Sequence, residues 1–178
     1  SAASDVYKRQ EVPIVHKFYR NYFKDCYVCG DVDYIFGPNT AFFDHCEIHS
    51  IARVSEGKAY ITAASTPAGQ EFGLVFSHCR ITGEEPDSVY LGRPWRDCAK
   101  TAFICCELGD HICPEGWQNW GKVRAEVLSD YIEYGNFGPG ADCSGRSPLS
   151  RCLVNPEVET YFSKENVLVG EDGWIPAE

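Results

Sequence analysis

Four stretches of this chain repeat one pattern, aromatic-x-x-Cys-x-aliphatic, and that repeat narrows the folds open to it more than any other feature. They lie at 23–28, 43–48, 76–81 and 103–108, and they carry Phe23/Cys26/Val28, Phe43/Cys46/Ile48, Phe76/Cys79/Ile81 and Phe103/Cys106/Leu108. The cysteines are 20, 33 and 27 residues apart. Like units at unequal spacing of this size describe a solenoid with loop insertions rather than a doubly wound sheet. In each unit the cysteine and the aliphatic residue two places on share one face of an extended strand. The pattern therefore predicts an all-β fold, a parallel β-helix with cysteine over cysteine and aliphatic over aliphatic inside. On this reading the four cysteines fill the core as small hydrophobes. His45 and His78, each just before a repeat cysteine, occupy equivalent stacked positions.

Gly37-Pro38-Asn39, Thr66-Pro67-Ala68-Gly69 and Gly83-Glu84-Glu85-Pro86 are the breaks between strands. Long helices are absent from the pattern. Residues 125–134 fit either a helical turn or an extended segment, and 136–148 read as loop. Residues 161–175 are expected to pack back over the solenoid as a tail. The length of 178 residues suits one domain. Residues 1–10 (SAASDVYKRQ) resemble a translated adapter rather than natural sequence, which leaves 11–178 as a single, N-terminally truncated β-helix domain whose natural chain extends further upstream.

Composition excludes several functions. The formal net charge of −10 opposes binding to nucleic acid, which needs a basic face, and opposes docking on anionic lipid. No stretch approaches the run of about 20 apolar residues of a membrane helix. Ten cysteines would suggest a disulfide framework in a shorter chain, but this one is long enough to bury a core without it. Their place in apolar runs points to mostly reduced thiols. Cys26 and Cys29 form a lone C-x-x-C with no second pair at zinc-site spacing. His16, His45, His49, His78 and His111 show no spacing suited to a triad or a metal.

Two segments stand out for chemistry. In Gly30-Asp31-Val32-Asp33-Tyr34-Ile35-Phe36-Gly37, Asp33 sits in an apolar run, where a carboxylate is costly unless paired. In Leu91-Gly92-Arg93-Pro94-Trp95, a guanidinium is flanked by residues that restrict the backbone or fill space. Arginine brought beside Asp33 would keep the carboxylate charged and aimed. Taken singly, either segment could equally be a structural ion pair or a turn.

These two segments, with LGDHICPEGW at 108–117, resemble three ordered signatures of the pectin methylesterases, or pectinesterases. Tyr60-Ile61-Thr62-Ala63 and Phe137-Gly138-Pro139-Gly140-Ala141 resemble two further stretches of that family, and the resemblance spans residues 18–174. The wording of 30–33 and 62–65 looks like the bacterial variant. The resemblance implies a right-handed parallel β-helix and hydrolysis of the methyl esters of pectin (homogalacturonan), giving pectate and methanol. It implies Asp33 as nucleophile, Arg93 as the residue that holds it, and Trp95 and Phe36 as the lining of the sugar cleft. For Phe36, core packing is the competing reading. No cofactor and no metal are implied, and a monomer is expected. The resemblance implies secretion, whereas the free-cysteine reading favours the cytoplasm. A non-catalytic carbohydrate-binding solenoid remains the alternative function. A lyase would need a base acting on the sugar ring, and a glycosidase would need two opposed carboxylates.

In one respect the chain departs from the family pattern. The family carries a Gln-Asp pair ahead of the first signature, as general acid/base and oxyanion donor, and residues 1–16 contain none. General acid assistance is worth about 10²- to 10⁴-fold, and an oxyanion donor roughly another 10²- to 10³-fold. The 178-residue chain alone is therefore expected to release little or no methanol from methylated pectin, a result that a direct methanol assay would overturn if release ran at ordinary enzymatic rates.

Overall fold

The structure is a computed structural model that describes residues 19–170, 172–174 and 176. Residues 1–18, and with them the adapter-like segment and His16, lie outside the described residues. Among the described residues, thirteen strands form three parallel sheets of six, four and three strands, stacked coil on coil. The first sheet runs β1 (Arg20–Lys24), β4 (Thr40–Asp44), β7 (Leu74–Ser77), β10 (Lys100–Ile104), β12 (Asp130–Tyr134) and β13 (Ser150–Leu153). The second holds β2 (Tyr27–Gly30), β5 (Glu47–Ser50), β8 (Arg80–Gly83) and β11 (Glu107–Leu108). The third holds β3 (Val32–Gly37), β6 (Ala59–Ala64) and β9 (Val89–Gly92). This is the parallel β-helix expected from the repeat.

Register explains why the repeat exists. Phe23 pairs with Phe43, Phe43 with Phe76, and Phe76 with Phe103. Their rings form one column with centroids 4.7, 4.6 and 4.5 Å apart and planes within 10° of parallel. Val28, Ile48, Ile81 and Leu108 form a second column on the next sheet. The cysteines sit between the columns, at the corner rather than on a strand face. The residue before each one, Asp25, His45, His78 and Cys105, has φ between 51° and 53°. That left-handed residue turns the chain and breaks the two-residue alternation, so an aromatic and a cysteine three apart both point inward. Three of the four corner thiols then reach back one coil. Cys46, Cys79 and Cys106 donate to the carbonyls of Phe23, Phe43 and Phe76 at 3.4, 3.3 and 3.5 Å. As expected, His45 and His78 stack, with centroids 5.2 Å apart.

The fifth coil keeps the geometry with different residues. Gly135 takes the left-handed position, and Asn136 replaces the cysteine, its Oδ1 accepting from the Cys106 amide at 2.9 Å. Glu133 stands where the phenylalanine column would continue, paired in register with Phe103. Its carboxylate is buried and fully engaged. Arg146 donates through Nε at 2.9 Å and Nη2 at 3.1 Å, and Trp117 donates through Nε1 at 2.9 Å. Arg146 also donates to the carbonyls of Gly140 and Pro114. The apolar column thus ends in a satisfied buried ion pair under the loop at 136–148. A disulfide, Cys143–Cys152, closes that loop, and the other eight cysteines are unpaired. The reading of mostly reduced thiols holds for those eight and fails for this pair.

The outer face of the first sheet is apolar too. Phe42, Val75, Ala102 and Ile132 point away from the coil interior and are covered by Val158, Phe162, Val167 and Leu168. Val158, Val167 and Leu168 belong to two short helices, Glu157–Tyr161 and Lys164–Leu168, and Phe162 is the C-cap residue of the first. The C-terminal tail therefore packs over the solenoid, on a sheet face, beginning slightly earlier than the sequence suggested. Residues 125–134 resolve into both options, a helical turn at Ala125–Leu128 followed by β12.

The ion pair under the loop should be sensitive in a particular way. Arg146→Met leaves Glu133 buried and uncompensated and should cost about 3–5 kcal/mol in urea unfolding, while the double variant Arg146→Met/Glu133→Leu should recover much of that loss.

Candidate active site

β3 and β9 flank β6 in the third sheet, so residues sixty apart in sequence stand two strands apart in space. Asp33 lies where the β3–β6 register shifts, between Val32 and Ile35, and its φ is 52°. A non-glycine residue in that region is uncommon and is held there by its surroundings. Arg93 follows β9, and its amide donates to the Thr62 carbonyl on β6 at 3.0 Å. The close approach of the two strands needs Gly92, because a Cβ there would lie 2.1 Å from Thr62 Oγ1. The guanidinium then meets the carboxylate edge on. Nε donates to Asp33 Oδ1 at 2.9 Å and Nη2 donates to Oδ2 at 2.6 Å. The two side chains are 16% and 17% exposed, so the pair is largely dry but open along one edge.

Two aromatic rings close on the arginine. Tyr60 of β6 lies 3.8 Å from the guanidinium carbon, and Trp120 also lies at 3.8 Å. A planar cation between two π faces is held electrostatically and sterically, which a lysine could not reproduce. Trp120 is on the loop after the 108–117 signature, with φ 55°. Lys122 ties this loop to the arginine segment, its Nζ donating to the carbonyls of Pro94 and Trp95, each at 2.6 Å, and lying 4.6 Å from the Trp120 ring centre.

Beside the ion pair stands an aromatic shelf. Phe36 and Trp95 stack with centroids 5.4 Å apart and are 61% and 41% exposed. That exposure removes the core-packing reading of Phe36. All four residues singled out in the sequence, Asp33, Arg93, Trp95 and Phe36, thus come from the two strands and turns that the solenoid brings together. Tyr60, Trp120 and Lys122 were missed. The second tryptophan of Gly116-Trp117-Gln118-Asn119-Trp120 was a signal, since Trp117 is buried and Trp120 is exposed. Tyr34 places its hydroxyl 2.9 Å from Ser50 Oγ, so that oxygen is satisfied. His111 is buried away from the shelf, packed on Gly83 and Gly109, and burial lowers its pKa to about 4. It is neutral core.

A protein-family model described as Pectinesterase matches residues 6–171. The chain belongs to the pectinesterase family. It is 40% identical over 140 residues to Pectinesterase 31 of Arabidopsis thaliana, covering 78% of this chain and 43% of that one. Among solved structures it is similar to the pectin methylesterase from carrot, with TM-score 0.77 and 30% identity over 86% of this chain and 51% of the other. It is also similar to the pectin methylesterase from Yersinia enterocolitica, with TM-score 0.68 and 28% identity over 84% and 53%. The chain spans about two fifths of the length of the curated relatives it matches. Plant and bacterial pectinesterases alike share its coil, so the bacterial flavour rests only on the wording of 30–33 and 62–65.

The aromatic clamp makes Arg93 hard to replace. Arg93→Lys loses the two-pronged hydrogen bond and both stacked faces, and should lower stability by about 1–3 kcal/mol in urea unfolding. Arg124→Lys, on an exposed surface, should leave it unchanged.

Proposed function

We propose that the protein carrying this chain hydrolyses galacturonate methyl esters of pectin, with Asp33 as the nucleophile. The observation that supports this reading is the Asp33 carboxylate gripped edge on by Arg93 beside an exposed aromatic shelf. A carboxylate oxygen has two lone pairs, and each oxygen of Asp33 gives one to Arg93. The other lone pairs remain free, on a group whose rotation is locked. One oxygen attacks the ester carbonyl, and the tetrahedral intermediate expels the methoxy group, which needs a proton to leave as methanol. The product is an acyl-enzyme anhydride on Asp33. Water then attacks the anhydride, releases the galacturonate carboxylate and restores Asp33. Throughout, Arg93 holds the aspartate and balances its charge, while Tyr60, Trp120 and Lys122 hold Arg93.

Phe36 and Trp95 present flat apolar faces to the C–H surface of a pyranose, which positions the ester over Asp33. The general acid that protonates methanol and the donors for the oxyanion have no candidate among the residues matched here, so activity belongs to the protein as a whole. The net negative charge of this part suits a neutral, methylated substrate and repels the anionic product.

The decisive experiment is Asp33→Asn in the full-length enzyme, with methanol release and denaturant unfolding measured together. Turnover should disappear while the protein still unfolds cooperatively, with a stability loss no larger than one charged hydrogen bond, about 1–3 kcal/mol. Retained methanol release would remove Asp33 from the role of nucleophile.

A further inference from the structure

The corner between the first two sheets carries a second constellation, on the side of the coil that the C-terminal tail covers. At that corner the left-handed residues of successive coils stand one above the next, and two of them are His78 and Cys105. The helix Glu157–Tyr161 passes over them and lowers Glu159 onto the same spot. The three potential ligand atoms, an imidazole nitrogen of His78, Cys105 Sγ and a carboxylate oxygen of Glu159, all lie within 4.8 Å of one another. We propose that His78, Cys105 and Glu159 form a binding site for a divalent transition-metal ion, with zinc the best match, which fastens the C-terminal tail to the solenoid.

The nitrogen–oxygen spacing is close to what such an ion requires. Zinc takes nitrogen at about 2.0–2.1 Å, carboxylate oxygen at about 2.0–2.2 Å and thiolate sulfur at about 2.3 Å, in a tetrahedron whose N–O edge is then roughly 3.4 Å. His78 Nε2 and Glu159 Oε1 are 3.6 Å apart. The other ring nitrogen is already engaged. His78 Nδ1 is 2.9 Å from Ser77 Oγ, an outer-shell partner that, with the Nδ1 proton donated to serine, leaves the Nε2 lone pair directed at the site. The ring is steadied further by His45, stacked at 5.2 Å and itself held by Asp44 through Nδ1 at 2.6 Å. One nitrogen, one sulfur and one oxygen suit zinc or cobalt and are wrong for calcium or magnesium, which want oxygen alone. Three protein ligands leave the fourth position to water.

The ligand is the thiolate rather than the thiol, so binding displaces the Cys105 proton and affinity should rise with pH. The other grouping of this kind, Glu133 with Cys143 and Cys152, offers no site, because its sulfurs form a disulfide and its carboxylate is taken by Arg146. The proposal uses none of the residues of the esterase reading, and the two stand or fall separately.

The test uses the purified chain with zinc added alone, followed by calorimetry, and cobalt added alone, followed by absorption. Saturable binding of one ion is expected, with a thiolate-to-cobalt charge-transfer band. Cys105→Ser should abolish that band. Glu159→Gln, a change on an exposed helix that leaves the fold intact, should weaken zinc binding at least tenfold, and Ser77→Ala should weaken it about tenfold or more. Amide exchange in residues 157–168 should slow on adding zinc to the original chain and not to Glu159→Gln. A band that survives in Cys105→Ser, zinc affinity unchanged in Glu159→Gln, or no saturable binding at all would overturn the proposal.

Discussion

The in-register stacking of like residues in successive parallel coils is the constraint on which everything else rests. Four phenylalanine rings in one column and four aliphatic side chains in the next bury apolar area continuously along the axis. Since a one-residue slip in a strand would turn its side chains to the opposite face, the register is strongly specified. The corner thiols of Cys46, Cys79 and Cys106, each bonded to the carbonyl one coil back, lock the same register from the turn. Sulfur suits that corner because it is small, apolar and still able to donate weakly to a carbonyl. The column stops where Glu133 replaces the ring, and the cost of that buried charge is met by two donating side chains rather than by solvent.

A rigid register is what makes the candidate active site possible. Asp33 and Arg93 are never neighbours in the chain, and nothing local draws them together. They meet because β3 and β9 are fixed on either side of β6, whose Tyr60 lies under the guanidinium. The clamp is completed from outside the sheet by Trp120, on a loop tethered through Lys122 to the backbone of the arginine segment. Asp33 and Trp120 both hold left-handed backbone there, as the corner residues do elsewhere in the coil.

Part of this was legible in the residues themselves. The aromatic and cysteine repeat pointed to the solenoid because stacking rewards identical residues at equivalent places, and such a preference is written into the sequence. Asp33 stood out because a carboxylate among apolar neighbours must have a partner, and Arg93 because of the constrained residues around it. What escaped was everything whose meaning depends on a third element. Glu133 broke the repeat and so hid the fifth coil. Tyr60, Trp120 and Lys122 carry no local mark of the arginine segment they hold, which lies about thirty residues away in the chain. Cys143 and Cys152 were two among ten cysteines until the loop at 136–148 folded them together.

The amino-acid sequence by itself determined the coil, its register columns and the kinds of group available for chemistry, because these follow from periodicity and from the cost of burying an unpaired charge. Only the tertiary structure decided which groups meet: the grip of Arg93 on Asp33, the two rings that enclose it, the exposed stack of Phe36 on Trp95, and the approach of Glu159 to His78 and Cys105. The physical reason is distance along the chain. Contacts spanning tens of residues depend on how many residues each inserted loop spends between coils, and that count carries no local pattern until the strands are laid side by side.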